Sequence, residues 1–183
     1  MTGWRALLLP DTTPLRDSRS FRLLWIGQLV SVTGTQVRLV ALPYQIYLLT
    51  GSSLAVGLIG VFQAVPLLVL SLFGGVIADA VDRRRLLLAT QAGLGAVSFA
   101  LALATTTGFA SVPLLYVLTA VGACFSALDG PTRASLVPTV VERRQIRAAI
   151  ALNQTLYQFA AVFGAALAGI LIARLGLAGA YWI

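Results

Sequence analysis

The chain has 183 residues, 58% hydrophobic and only 10% charged, with a mean hydropathy of +0.91 and a formal net charge of +7. Ordinary soluble domains carry about 25% charge, so this composition excludes a typical soluble fold. All 13 basic residues are arginine, histidine is absent and the one cysteine, Cys124, stands inside an apolar run, so no internal disulfide, histidine metal site or Ser-His-Asp triad is available.

The first 20 residues are polar and basic, with Trp4 and Leu7 to Leu9 able to lie on a membrane surface and Asp17 or Ser18 able to cap a helix. A first span is expected over about residues 21–49, carrying Pro43 as a tolerated kink. Thr50-Gly51-Ser52-Ser53 makes a turn, and a second span over 54–78 follows. No charge occurs from Leu39 to Ala78, and none from Leu86 to Leu128. Between these runs Asp79, Asp82, Arg83, Arg84 and Arg85 crowd a short hinge. Charge left in hydrocarbon costs several kcal/mol, so the hinge reads as an aqueous loop and the apolar runs as spans.

Asp82 can cap a third span over 83–105. The run from Leu86 to Leu128 is too long for one crossing of about 20 residues and breaks at Thr105-Thr106-Thr107-Gly108. A fourth span then covers 112–128, extending toward 137, and a fifth covers 147–173. Residues 178–183 look like the opening of a sixth, so the chain is expected to be a piece of a longer protein, truncated within that span. The third span has few polar residues (Thr90, Gln91 and Ser98) and is expected to face lipid. All arginines except Arg38 and Arg174 fall before the first span, between the second and third, or between the fourth and fifth. The positive-inside rule then puts the N-terminus in the cytoplasm of a multi-pass inner-membrane protein. It also gives the arginines a reason to exist that needs no nucleic acid.

Gln28, Ser31, Thr35, Arg38 and Gln45 recur at helical spacing along the first span. Arg38 lies roughly 20 Å along the helix from Leu24 at 1.5 Å per residue, too deep for easy snorkelling. The stripe is either an interhelical hydrogen-bond face with a paired arginine or the lining of a polar path. An intramembrane charge favours the path. In the fifth span Asn153, Gln154, Tyr157 and Gln158 line a cavity or hold helices together, and Gln63 of the second span could do either. Asp129 is a further candidate for lining the path, and it shares a face with Arg133 if the helix continues through Pro131. Ala161, Gly164, Ala165 and Gly169 are small enough to let helices pack closely. An enzyme is disfavoured: no catalytic constellation and no metal cluster is visible, and no cofactor is called for.

The hinge resembles that of the major facilitator superfamily, whose loop reads Gly-x-x-x-Asp-(Arg/Lys)-x-Gly-(Arg/Lys)-(Arg/Lys). Gly75, Asp79, Arg83 and Arg84 match, with Ala80 for the first basic residue and Asp82 for the second glycine. Phe21-Arg22-Leu23-Leu24-Trp25, Val40-Ala41-Leu42-Pro43, Pro131-Thr132-Arg133 and Ala149-Ile150-Ala151-Leu152-Asn153 look like its enterobactin-exporter and drug–proton antiporter branch. The resemblance implies an all-α polytopic helical bundle, the N-terminal six-helix half of a twelve-span fold, with a C-terminal half as partner and a small-molecule substrate at the midplane. It implies proton-coupled efflux of small amphipathic molecules, drug or siderophore-like, by alternating access. An importer of the same fold and a non-transporting structural or assembly subunit are the alternatives. It also implies that Gly75, Asp79, Asp82, Arg83, Arg84 and Arg133 form a cytoplasmic gate, with Asp79 paired to Arg133 or Arg84.

Overall fold

The computed structural model describes residues 11–182, and the side chains of residues 73–80 lie outside the described part. The expectations for Trp4, for Leu7 to Leu9, and for the gate residues Gly75 and Asp79 therefore fall outside the described side chains. Among the described residues there are six α-helices, one 3₁₀ turn and no strand.

Each helix start has a sequence cause. α1 (Thr13–Asp17) is one short turn entered through Pro14, whose missing N–H costs nothing at a helix start. Ser18 then caps α2 (Arg19–Thr50): its hydroxyl accepts from the Phe21 amide at 3.1 Å and donates to the Val140 carbonyl at 2.6 Å. Gly51 ends α2 at φ 64°, the left-handed conformation that glycine adopts without steric cost. Ser52 caps α3 (Ser53–Ala80) and Asp82 caps α4 (Arg83–Thr106), accepting from the Ala55 and Arg85 amides at 3.4 and 2.9 Å.

α5 (Val112–Val140) runs unbroken through Asp129-Gly130-Pro131 and Pro138. Hydroxyls of Thr132 and Ser135 donate back to the Leu128 and Thr132 carbonyls at 2.6 and 2.8 Å around the first proline. A 3₁₀ turn at Arg143–Gln145 leads into α6 (Ile146–Tyr181). Gly176, at φ 72° and ψ 177°, interrupts α6, and the helix resumes beyond it. The gap expected between the fifth span, ending at 173, and the sixth, opening at 178, is this single-residue break.

Ser53–Leu72, Arg83–Thr106, Val112–Val140 and Arg143–Tyr181 are long and apolar enough to cross a membrane. α2 is about 48 Å long at the usual rise, but it is not among them. Gln28, Gln36, Arg38 and Gln45 dilute its apolar character.

The long helices form a ring in the order α2, α3, α5, α4, α6, with α6 returning to α2 and α2 also touching α5 across the ring. One buried cluster joins Ala41, Leu42 and Ile46 of α2 to Leu101 of α4, Leu115 of α5 and Tyr181. A second sits at the other end, where Phe21 packs on Val137, Ala149 and Leu152. Asp17 accepts from the Gln145 amide at 2.7 Å beside it, and the Trp25 indole faces the Leu152 carbonyl at 3.4 Å. On the α3–α5 seam, Phe62 stacks on Tyr116 with ring centroids 4.6 Å apart, and the Tyr116 hydroxyl donates to the Ala55 carbonyl at 2.6 Å.

Two expectations about faces need correction. The third span, α4, does not simply face lipid: Thr90 is buried, and Gln91 and Ser98 line an interior cavity. The small residues of α6 that pack are Ala160, Gly164 and Ala168, one position out of step with most of the expected set. Gly169 is exposed with open space around it, while Ala161 and Ala165 are half-buried. Gly164 abuts α2, where an added Cβ would lie 2.7 Å from the Gln36 Cβ.

Gly164→Val is expected to destabilise the protein by about 1–3 kcal/mol through overpacking, and Gly176→Ala by about 1–3 kcal/mol through a forbidden φ/ψ. Gly169→Ala is expected to be close to neutral. Thermal unfolding of the purified protein in detergent, variant against wild type, checks all three.

Candidate functional site

The polar residues of α2 are divided among three environments. Gln28 is buried and lines a cavity of about 260 Å³ between α2, α5 and α6, together with Arg133, Asn153, Gln154 and Tyr157. Ser31, Thr35 and Arg38 line a cavity of about 560 Å³ that faces Gln91, Ser98 and Tyr181. Thr35 and Arg38 also line a third cavity of about 170 Å³ between α2, α3 and α5, with Gln63, Thr119 and Ser126. Gln45 lines none of these: it is buried, and its amide donates to the Thr105 hydroxyl at 3.0 Å. Gln45 is a tie between α2 and α4. Gln158 is exposed and likewise apart from the cavities, whereas Gln154 and Tyr157 are exposed at the edge of theirs.

Arg38 thus stands between two cavities. Its guanidinium is accommodated because Gly122 of α5 has no side chain: an added Cβ would lie 3.2 Å from an Arg38 guanidinium nitrogen. Among the described residues Arg38 has no ion-pair partner. The Tyr181 hydroxyl, on the same larger cavity, is buried and unpartnered. The sequence reading named neither Gly122 nor Tyr181, nor the hydroxyls of Thr119 and Ser126. The last two recur seven residues apart on α5, a helical signal that could have been read.

Asp129 shows the opposite situation. One carboxylate oxygen accepts from the Gln91 amide at 2.6 Å and the Thr90 hydroxyl at 3.1 Å. The other pairs with Arg133 Nε at 3.3 Å, one turn along the same helix. Both partners of that ion pair are largely shielded from solvent. The Asp129 carboxylate therefore locks α4 to α5 and itself lines none of the cavities above, while its partners Gln91 and Arg133 each border one. Helix α5 continues through Pro131, and this brings Asp129 and Arg133 onto one face.

Of the remaining gate residues, Asp82 caps α4, Arg83 donates to the Ser135 carbonyl at 3.3 Å across the α4–α5 gap, and Arg84 is exposed. Arg133 is held by Asp129. Gln28 Oε1, Gln45 Oε1 and Asn153 Oδ1 are buried without a protein partner. Those of Gln28 and Asn153 share a cavity roomy enough for ordered water.

A family model described as transmembrane secretion effector matches residues 11–183. The uncharacterized MFS-type transporter YfiS of Bacillus subtilis is 26% identical over 169 residues, which is 92% of this chain and 39% of the relative. The enterobactin exporter EntS of Citrobacter koseri is 26% identical over 167 residues, 91% of this chain and 40% of the relative. The exporter of the same name from Shigella boydii gives the same figures. The chain therefore spans about two fifths of the length of the curated relatives it matches. No solved structure matches it. The apolar helices and this family match together make the chain an integral membrane protein.

Asp129→Ala leaves Arg133 buried and unpaired, a loss expected to cost about 3–5 kcal/mol. Arg83→Ala, which removes only an exposed hydrogen bond, is expected to cost under about 1 kcal/mol. The two variants, unfolded side by side in detergent, distinguish the buried lock from the surface contact.

Proposed function

We propose a transport function for this chain, which belongs to the transmembrane secretion effector family of the major facilitator superfamily, a family of transporters rather than enzymes. On this reading it forms the N-terminal bundle of a secondary active transporter and works with a second bundle of the same protein. The two alternate access to a site at the midplane. The solute class is small and amphipathic, moved outward at the expense of a proton gradient. The exporter names of relatives support the direction. The arginine distribution supports an inner-membrane protein with a cytoplasmic N-terminus.

One observation carries the reading. A membrane bundle built only to scaffold has no use for a guanidinium at span depth, next to hydroxyls and an amide that line a cavity. Such a group costs roughly 2.5–3.5 kcal/mol on insertion scales, and it persists where a polar path needs it. The gate belongs to the same reading. Arg83 bridges α4 and α5 at one end of the bundle, where Asp82 caps α4 and Arg133 holds Asp129 within α5, with Gly75 and Asp79 completing the motif on α3. Contacts of this kind bias one access state and must break in the other.

Single cysteines in the full-length protein, in a background with Cys124 and every other native cysteine replaced by serine, test the path. Thr35→Cys and Gln63→Cys are expected to react with a membrane-impermeant thiol reagent, and Gln45→Cys to remain inert. Inert cysteines at both Thr35 and Gln63 would refute a water-filled path. Coupling is tested in everted membrane vesicles: energisation with ATP should drive uptake of radiolabelled enterobactin that a protonophore abolishes. Uptake insensitive to the protonophore would remove the proton gradient as the energy source.

A further inference from the structure

Arg38 of α2 and the Asp129–Arg133 pair of α5 lie within the bundle on facing helices, and their charges are treated differently. Asp129 is engaged by Thr90, Gln91 and Arg133. Arg38 has no acidic partner among the described residues. Asp129 is therefore not available to neutralise Arg38, although both border α5. Two elements are shaped around the guanidinium. Gly122 leaves it room, and the cavity between α2, α3 and α5 opens beside it. The lining of that cavity combines the polar Gln63 and Thr119 with the apolar Leu39, Leu42 and Leu67. From the other cavity the buried, unpartnered Tyr181 hydroxyl shares the Arg38 wall, a second donor without an acceptor.

We propose that Arg38 is an anion-recognition residue, and that the α2–α3–α5 cavity takes a small amphipathic oxyanion, a carboxylate attached to an apolar ring. The carboxylate lies against the Arg38 guanidinium, assisted by the Gln63 amide. The ring lies against Leu39, Leu42 and Leu67. An unpaired guanidinium within a membrane-spanning bundle gains most from a partner that brings its own negative charge and two acceptor oxygens. A neutral solute of the same shape leaves the charge uncompensated and gains only the apolar contact. Arginine rather than lysine suits the task because its fork matches both carboxylate oxygens. The proposal narrows the solute class of the transport reading and rests on that reading for the solute's passage, though not for its binding.

The probes are radiolabelled benzoate and benzamide, equal in shape and different in charge. Binding is measured by equilibrium dialysis against the purified full-length protein in detergent. Wild type is expected to hold benzoate roughly tenfold more tightly than benzamide, the factor expected of a charge-assisted hydrogen bond. Arg38→Gln is expected to bring benzoate down to the level of benzamide without changing benzamide binding. Arg38→Lys should restore part of the preference. Equal binding of the two probes by wild type, absence of benzoate binding, or an Arg38→Gln protein that keeps the preference each overturns the proposal. The wild-type comparison needs no variant to fold. The readout uses no gradient, so its failure is separate from a failure of transport.

Discussion

A charge inside a bundle of apolar helices must be matched by its neighbours or by something that enters. This constraint organises the molecule. Asp129 is matched internally, by an amide and a hydroxyl from α4 and a guanidinium from its own helix. The resulting lock ties α4 to α5 at the level where Pro131 weakens the α5 backbone. Breaking one partner of such a group is far more costly than never having built it. Arg38 is matched by nothing described and borders empty volume on two sides. One charge makes the bundle rigid, and the other gives it a place for chemistry from outside.

Much of this architecture was legible in the residues, and the parts that were not have specific causes. Helix starts could be read because Ser18, Ser52 and Asp82 are capping residues placed just ahead of apolar runs, and each one caps. Charge-free runs marked the helices, because hydrocarbon excludes charge. The facing of each helix was less legible. Lipid and a packed interior are equally apolar, so the greasy sequence of α4 concealed that Thr90 and Gln91 turn inward to Asp129. The same ambiguity put the small-residue stripe of α6 one position out, since Ala160 and Ala161 look alike until a partner helix selects one.

The site shows a similar division. Periodicity placed Gln28, Ser31, Thr35, Arg38 and Gln45 on one stripe, and that stripe meets different neighbours along its length. A helix of 32 residues crosses more than one partner. Its polar face is therefore partitioned between a cavity beside α6, a cavity beside α4, and a sealed contact with Thr105. Sequence spacing identifies a shared face, but only tertiary packing decides what each member of that face sees. Gly122 illustrates the limit: its role is to be absent as a side chain, which no single residue pattern announces.

The contacts of Ser18 with Val140, of Asp17 with Gln145, and of Phe21 with Val137, Ala149 and Leu152 join residues more than a hundred positions apart. During synthesis α2 leaves the ribosome ahead of the other long helices described, and the partners that fasten its leading end follow more than a hundred residues later. Until then the helix carrying Arg38 sits in the bilayer without its final companions, and the cost of that interval falls on the translocon and the early neighbours α3 and α4. The step that fastens the leading end of α2 to α5 and α6 also closes the ring.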